Sequence, residues 1–383
     1  MIRKIKDAAE GKKSGFLYKI ILLPLWPLSL LYGFIVTIKA WLFEKGVLLR
    51  KELPCKVICV GNITTGGTGK TPGVIKIAGI LQSMEKKVAI VSRGYGGSYE
   101  GVKIINPDLD EAAVVGDEPL LMARQLNGVP VVVSRDRHKG GSALCRSGRY
   151  DYIILDDGFQ HLRLKRDLDL VLIDSNLPFG NGHLLPMGIL REPLSALKRG
   201  NAFMLTKVNM SSKINNLCVF LSKRNSEAPI FKSSHKPAGL KVLKDGDIRD
   251  ETVDFIKGKK IIAFAGIANP DSFFEMITGM GGIILSRKAF DDHEPFDSKD
   301  LDLLDEMAVR ENSLRQNGKN NLLDRDVASR FDSCLQPETI LMTTEKDLMR
   351  LGNFRFRSVV AVLKIEFSIE REDEFIRFIT GQI

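Results

Sequence analysis

The stretch Val57-Ile-Cys-Val-Gly-Asn-Ile-Thr-Thr-Gly-Gly-Thr-Gly-Lys-Thr-Pro72 decides how the chain is read. It opens as a short apolar run, passes through glycines and threonines, and ends in Lys70-Thr71. Apolar residues then recur at helical spacing, at Val74, Ile75, Ile77, Ala78 and Leu81. The pattern predicts a buried strand, an anion-cradling loop, and a helix whose first turn faces that loop. Gly66, Gly67 and Gly69 let backbone N–H groups converge on phosphate oxygens, with Thr64, Thr65 and Thr68 between and before them. Lys70 reaches the outer phosphates, and the Thr71 hydroxyl is placed to hold magnesium. The usual spacing asks for a glycine five residues before Gly69, where this chain has Thr64.

From Lys56 to Lys207, apolar runs rich in β-branched residues recur at 57–60, 88–91, 102–105, 129–133, 152–155, 170–173 and 202–205. Helical patterns separate several of them, as at Pro119–Leu126 and Arg137–Cys145. This is the signature of βαβ units around a buried, mostly parallel sheet of the P-loop NTPase kind. Such sheets bind ligands beyond the carboxyl ends of their strands, so chemistry is sought just after each run.

Four sites follow from that rule. Ser92-Arg93-Gly94-Tyr95-Gly96-Gly97 is either a tight turn or a grip on a phosphate or ring. Asp117-Glu118 before Pro119 suits a general base and a metal ligand, and equally an N-cap with a first-turn acid. The strand ending in Asp156-Asp157 supplies the second acid that a nucleotide–magnesium site needs, and Gly158-Phe-Gln160-His161 carries two polar heads into the same crevice. Arg191 is a candidate to neutralise charge on a transferring phosphoryl group, the bland alternative being a surface pair with Glu192. After the last run, Thr206-Lys207-Val208-Asn209 has Asn where a guanine-reading site wants Asp, which disfavours GTP.

The composition sets bounds. The chain has 383 residues, enough for two cores, and a formal net charge of +9, which points to an acidic partner. Five irregularly spaced cysteines make neither a disulfide framework nor a zinc site, in keeping with a reducing cytoplasmic setting. No basic helix with interleaved aromatics is present, so nucleic acid is not expected as the partner. Residues 1 to 19 are mostly basic where charged, and Ile20 to Ile38 carry no charge. That apolar segment fits an anchor in the membrane interface, a single span, or a hairpin packed on the protein. Pro24 and Pro27 argue against one straight helix, and basic residues on both sides favour the interfacial anchor on an anionic surface. No cleavage site for a removable signal follows.

Polar, Pro- and Gly-containing sequence at 226–257 marks a junction. A second αβ segment begins at Lys260-Ile-Ile-Ala-Phe-Ala-Gly266 and continues through 283–285, a polar helical stretch near 297–331, and strands at 339–343 and 359–367. Within it lies Phe290-Asp-Asp-His-Glu-Pro-Phe296, where His293 among carboxylates can assist proton transfer or simply be solvated. The expected organisation is a membrane-associated segment (1–43), a P-loop kinase domain (44–225), the junction, and a smaller α/β domain (258–383).

Taken in order, Gly61-Asn62, Gly66-Gly67-Thr68-Gly69-Lys70-Thr71-Pro72, Ser92-Arg93-Gly94-Tyr95-Gly96, Gly116-Asp117-Glu118-Pro119, Asp156-Asp157-Gly158-Phe159-Gln160-His161, Leu190-Arg191-Glu192-Pro193, Phe264-Ala-Gly-Ile267, Asp292-His293 and Thr344-Glu345-Lys346-Asp347 resemble the tetraacyldisaccharide 4'-kinase family, the lipid A 4'-kinases of Gram-negative envelopes. The resemblance covers nearly the whole chain. Thr64 agrees with that family's atypical phosphate loop, whereas Glu294 departs from its Asp-His-His or Asp-His-Tyr run and leaves the role of that neighbour open. The resemblance implies an enzyme on the cytoplasmic face of the inner membrane that moves the γ-phosphate of ATP to the 4'-hydroxyl of a tetraacylated, 1-phosphorylated glucosamine disaccharide. It implies Asp117 paired with His293 as the base. Lys70 and the 64–71 loop would hold the phosphates, and Thr71 with Asp156 or Asp157 the Mg2+. Glu118 and Gln160 would support the metal and nucleotide, and Arg191 would be the phosphoryl cation. The competing readings are an ATPase of the same loop class with no phosphoryl acceptor, and a membrane-bound nucleotide-binding adaptor.

Overall fold

The computed structural model describes residues 8–11, 22–320, 338–352 and 354–381, with the side chains of 315–320 excepted. Most of the basic run at 1–19 and the stretch 321–337 of the expected polar helix lie outside the described residues.

A 3-10 turn, Leu23–Leu25, leads into helix α1, Trp26–Glu44. Pro24 sits in that turn and Pro27 at the start of the helix, where no intrahelical N–H is required, so neither proline breaks it. β1 (Lys56–Gly61) follows, with Val57 to Val60 at most 1% exposed, which is why it reads as continuous apolar sequence rather than alternation. The phosphate-loop turn delivers helix α2 (Lys70–Ser83), whose buried face is Thr71, Val74, Ile77, Ala78 and Leu81, one stripe at helical spacing. β2 (Val88–Ser92), the short edge strand β3 (Val102–Ile104), helix α3 (Asp117–Gln125), β4 (Val131–Ser134), helix α4 (Arg137–Ser147), β5 (Tyr152–Asp156), β6 (Leu168–Asp174), β7 (Ala202–Thr206) and helix α5 (Ile214–Ser222) complete the first half.

The expected junction carries a 15-residue strand, β8 (Ile230–Lys244), and its hairpin partner β9 (Asp247–Glu251). β8 pairs parallel with β7 through Ile230–Lys232 and antiparallel with β13 from Ser233 onward, so one strand carries the sheet from one half into the other. Beyond it come β10 (Lys260–Ala265), helix α6 (Pro270–Gly279), β11 (Ile283–Ala289), helix α7 (Ser298–Asn320), β12 (Thr339–Thr344), the single turn α8 (Glu345–Leu348), β13 (Val360–Ile369) and helix α9 (Glu372–Gly381). Among the described residues the sheet runs β11-β10-β12-β13-β8-β7-β6-β1-β5-β2-β4-β3, with β9 beside β8. Phe367, Ile369, Phe375 and Ile379 from the end of the chain share one core with Val74 and Ile77 of α2, and Lys76 pairs with Glu372 at 2.8 Å. The parallel strands of both halves thus end toward a common crevice.

α1 is the exception to burial. Trp26, Leu28, Leu30, Leu31, Phe34, Ile35 and Trp41 are all about half exposed or more, and its buried residues are Ser29, Gly33 and Phe43. Leu23–Glu44, 22 residues whose most apolar 18-residue stretch has a mean hydropathy of 1.5, is long and apolar enough to cross a membrane by length and composition.

Candidate active site

β1 enters the site through Gly61, whose packing leaves no room for a side chain: a Cβ there would lie 2.7 Å from that of Phe159. The following loop turns at Gly66 (φ +101°) and Gly69 (φ +79°), left-handed positions that favour glycine, and Gly69 starts α2. Side chains crowd the cradle from outside. A Cβ on Gly69 would meet the His235 ring at 2.9 Å, and one on Gly67 would meet Ala268 of the second half at 3.1 Å. Lys70 Nζ donates to Asn62 Oδ1 at 3.4 Å and stands 3.6 Å from Asp157. Thr71 is buried in the first turn of α2.

Asp156 and Asp157 end β5 as expected, but they live in different electrostatic surroundings. Burial, then the neighbouring Glu118 and Asp157 charges, push the Asp156 carboxyl up to about 7, against help from its hydrogen bond to Ser92 at 2.8 Å. Its Oδ1 is buried without a hydrogen-bond partner among the described residues. Burial works on Asp157 in the same sense, but Lys70 and Arg191 outweigh it and bring that carboxyl down to about 2. Arg191 Nη1 reaches both Asp157 oxygens at 2.8 Å and Gln160 Oε1 at 3.3 Å. The surface pair of Arg191 with Glu192 does not form; Glu192 is 2% exposed and is held by Arg199 at 2.8 Å. Gln160 Nε2 donates to the Asn62 carbonyl at 2.8 Å and to Glu192 at 3.1 Å.

A carboxyl held near 7 by burial and then by the Glu118 and Asp157 charges, with one oxygen unpartnered among the described residues, is an environment a hard divalent cation relieves. Asp156, Asp157 and the Thr71 hydroxyl are oxygen donors of the type magnesium takes beside a nucleotide, whereas among the described residues no three carboxylate, imidazole or thiolate groups cluster closely enough to hold an ion by themselves.

The two halves meet at Asp117. It is the first residue of α3, with Gly116 rather than Asp117 at the N-cap and both Asp117 and Glu118 in the first turn: Oδ1 takes the Glu118 N–H at 2.9 Å and faces His293 Nδ1 at 3.0 Å. His293 adopts a left-handed backbone (φ +66°) and packs edge-on against the exposed Tyr95 ring at 4.8 Å. Burial would raise the Asp117 carboxyl, but the His293 hydrogen bond, Lys346 and Arg350 together hold it below the ordinary range. Its Oδ2 has no hydrogen-bond partner among the described residues. Glu118 gives its Oε1 to Lys346 at 2.9 Å. Asp117 and His293 line a cavity of about 500 Å³ between the halves, together with Gly96, Leu120 and Arg350.

Three residues were not singled out as site groups from the sequence. Lys346, on α8, lies 3.0 Å from Asp292, 3.9 Å from Asp117 and 3.3 Å from His293 Nε2. An ammonium only donates, so this contact uses the Nε2 lone pair and leaves the Nδ1 N–H facing Asp117. Arg350, four residues on, stands 3.6 Å from Asp117 Oδ2 and also pairs with Asp347. Arg137, 4% exposed, donates from Nη2 to the Asp156 and Asp157 carbonyls at 3.3 Å each and supports a turn in which Asp157 has φ +50°. For Lys346 and Arg350 the available signal was two cations one helical turn apart just past a strand end.

This arrangement has counterparts. A family model described as tetraacyldisaccharide-1-P 4'-kinase matches residues 21–315. The tetraacyldisaccharide 4'-kinase of Desulfatibacillum aliphaticivorans is 35% identical over 366 residues, 93% of this chain and 91% of its own length. That of Geobacter metallireducens is 38% identical over 356 residues, 92% and 95% of the two chains. Among solved structures, the "apo" form of LpxK from Aquifex aeolicus in complex with ATP superposes with a TM-score of 0.69 at 30% identity, covering 94% of this chain and 99% of that one. With its phosphate loop, paired strand-end acids and inter-half Asp–His pair, the chain belongs to the tetraacyldisaccharide-1-P 4'-kinase family.

Proposed function

We propose that this protein transfers the γ-phosphate of ATP to the 4'-hydroxyl of a tetraacylated glucosamine disaccharide 1-phosphate, at the cytoplasmic face of the inner membrane. The observation that carries the reading is the Asp117 carboxylate: Oδ1 is oriented by His293, and Oδ2 has no hydrogen-bond partner among the described residues beside the cavity. A carboxylate so placed takes the hydroxyl proton as the sugar oxygen attacks the γ-phosphorus and the bond to the β–γ bridging oxygen breaks.

The 64–71 loop amides and Lys70 hold the nucleotide phosphates, and Arg191 neutralises charge on the moving phosphoryl group. Thr71 and Asp156 or Asp157 would hold Mg2+, with Glu118 and Gln160 in support. The ion, when bound, draws charge from the phosphate oxygens. We read 44–225 and 258–383 as two lobes joined through 226–257, with base and cradle meeting where they face each other. Two features support the membrane setting. α1 leaves a mostly apolar surface uncovered, and the net charge of +9 suits an anionic lipid surface.

The test is to incubate the protein with γ-labelled ATP and detergent-dispersed disaccharide lipid. Label is expected on the lipid, with little ATP hydrolysis in its absence. Brisk hydrolysis that ignores the lipid overturns the reading.

A further inference from the structure

α1 is apolar and largely uncovered, yet among the described residues it makes two side-chain hydrogen bonds to the body of the protein, and both fall on the loop that ends in Arg191. Ser29 Oγ donates to the Leu184 carbonyl at 2.9 Å, and Tyr32 Oη donates to the Arg191 carbonyl at 2.8 Å. Gly33 completes the face: a Cβ there would lie 2.6 Å from Leu184 Cδ1, so its absence lets the loop approach the helix backbone. Positions 29, 32 and 33 are spaced i, i+3, i+4 and therefore share one stripe of the helix.

The same loop is laced to the phosphate cradle on its other side. Arg191 N–H donates to the Ile63 carbonyl at 2.7 Å, Thr65 N–H to the Ile189 carbonyl at 2.8 Å, and Thr64 bridges Leu190. The backbone of Arg191 is thus held at its N–H by the strand leading into the phosphate loop and at its C=O by the apolar helix. Its side chain then meets Asp157.

We propose that Tyr32 is a positioning residue for the phosphoryl transfer. Through the Arg191 carbonyl, the membrane-facing helix sets where the guanidinium sits over the phosphate cradle. The helix would then be part of the site's framework as well as a means of reaching lipid. This rests on Arg191 acting on the transferring phosphoryl group.

The test is a double-mutant cycle on the full chain, in detergent with the disaccharide lipid. Tyr32→Phe removes a single hydroxyl, and turnover at saturating ATP is expected to fall about five- to tenfold, the range of one lost positioning hydrogen bond. The KM for ATP and co-sedimentation with anionic vesicles should stay within about twofold of wild type. In an Arg191→Ala background the same change should cost nothing further, because the group it positions is gone. Ser29→Ala should show the same pattern, more weakly. Equal losses from Tyr32→Phe in both backgrounds, or loss that tracks weaker vesicle binding, would show that α1 serves only as an anchor. Arg191→Ala turning over at the wild-type rate would instead remove the role of Arg191 itself, and the proposal with it.

Discussion

The two ends of the site are built differently. The phosphate end is assembled from consecutive residues of the first half: one strand, one loop, one helix start, with Lys70 drawn toward Asp157 by groups on neighbouring strands. The base end is assembled from side chains more than 170 positions apart, with Asp117 on α3 meeting His293 and Lys346 from the other half. The first is a property of local backbone geometry. The second exists only while the halves are apposed, and β8 is the strand that keeps them in one sheet. Breaking the phosphate end should therefore abolish nucleotide binding and turnover together, whereas breaking the base end should separate them.

The largest effect is expected at the phosphate end. Lys70→Met removes the cation at the end of the phosphate loop and should lower kcat/KM by about a thousandfold, with ATP affinity falling alongside it. Undiminished lipid labelling by this variant would sink the whole assignment. At the base end, Asp117→Asn keeps the shape and the Glu118 N–H contact but removes the proton acceptor. Turnover should drop by about a hundred- to a thousandfold while ATP binding, measured by equilibrium dialysis, stays close to wild type. A variant that turns over within about threefold of wild type would mean another group takes the proton.

Lys346→Met probes the contact between the halves. Lys346 touches Glu118, Asp292 and His293, and those acids overcome burial to raise its own pKa. Its loss leaves a cluster of like charges and frees His293 Nε2, so turnover should fall by about tenfold, with ATP binding again little changed. If Lys346→Met instead matched Lys70→Met in losing nucleotide, the distinction between the two ends would be wrong.

The same asymmetry explains what could be read from the chain alone. The phosphate loop, the succession of buried parallel strands and the acids at the end of β5 are local patterns, so spacing and strand-end position were enough to find them, whereas the order of the strands in the sheet is not local and was not read. For Asp117 the expected N-cap fell to Gly116, one residue earlier, a shift that local spacing does not resolve. Arg191 was found by type, but its partner was not: pairing with Asp157 rather than Glu192 depends on how the 183–191 loop crosses the strand ends. Arg137 carries no local signature, and for Lys346 and Arg350 the spacing of two cations past a strand end was too weak a signal, since a cation beside an acid in sequence is ordinary surface chemistry. The strand crossing the expected junction was also hidden, because the first half of β8 is the polar run Lys232-Ser-Ser-His-Lys236 followed by Pro237, which reads as a loop.

The smallest effect concerns stability and contrasts Asp156 with its neighbour. Asp156 is held near 7 by burial, Glu118 and Asp157, against an ordinary carboxyl value of about 3.9. As pH rises through that interval, the unfolded chain releases the proton while the folded chain retains it, so this group takes stability away between about pH 4 and 7. Asp157, brought down to about 2, has the opposite sense: its contribution is present above about pH 4 and is lost only below that, so it adds no slope in the interval. His161 and His235, both lowered to about 4 by burial, tilt the curve the other way, because the unfolded chain takes up protons on them as pH falls. Comparison with Asp156→Asn isolates the term. In calorimetry without nucleotide or divalent cations, the wild type should lose more Tm than the variant between about pH 5 and pH 8. Parallel curves would mean that Asp156 is not crowded by Glu118 and Asp157, and the case for a cation between those carboxylates would lose its electrostatic ground.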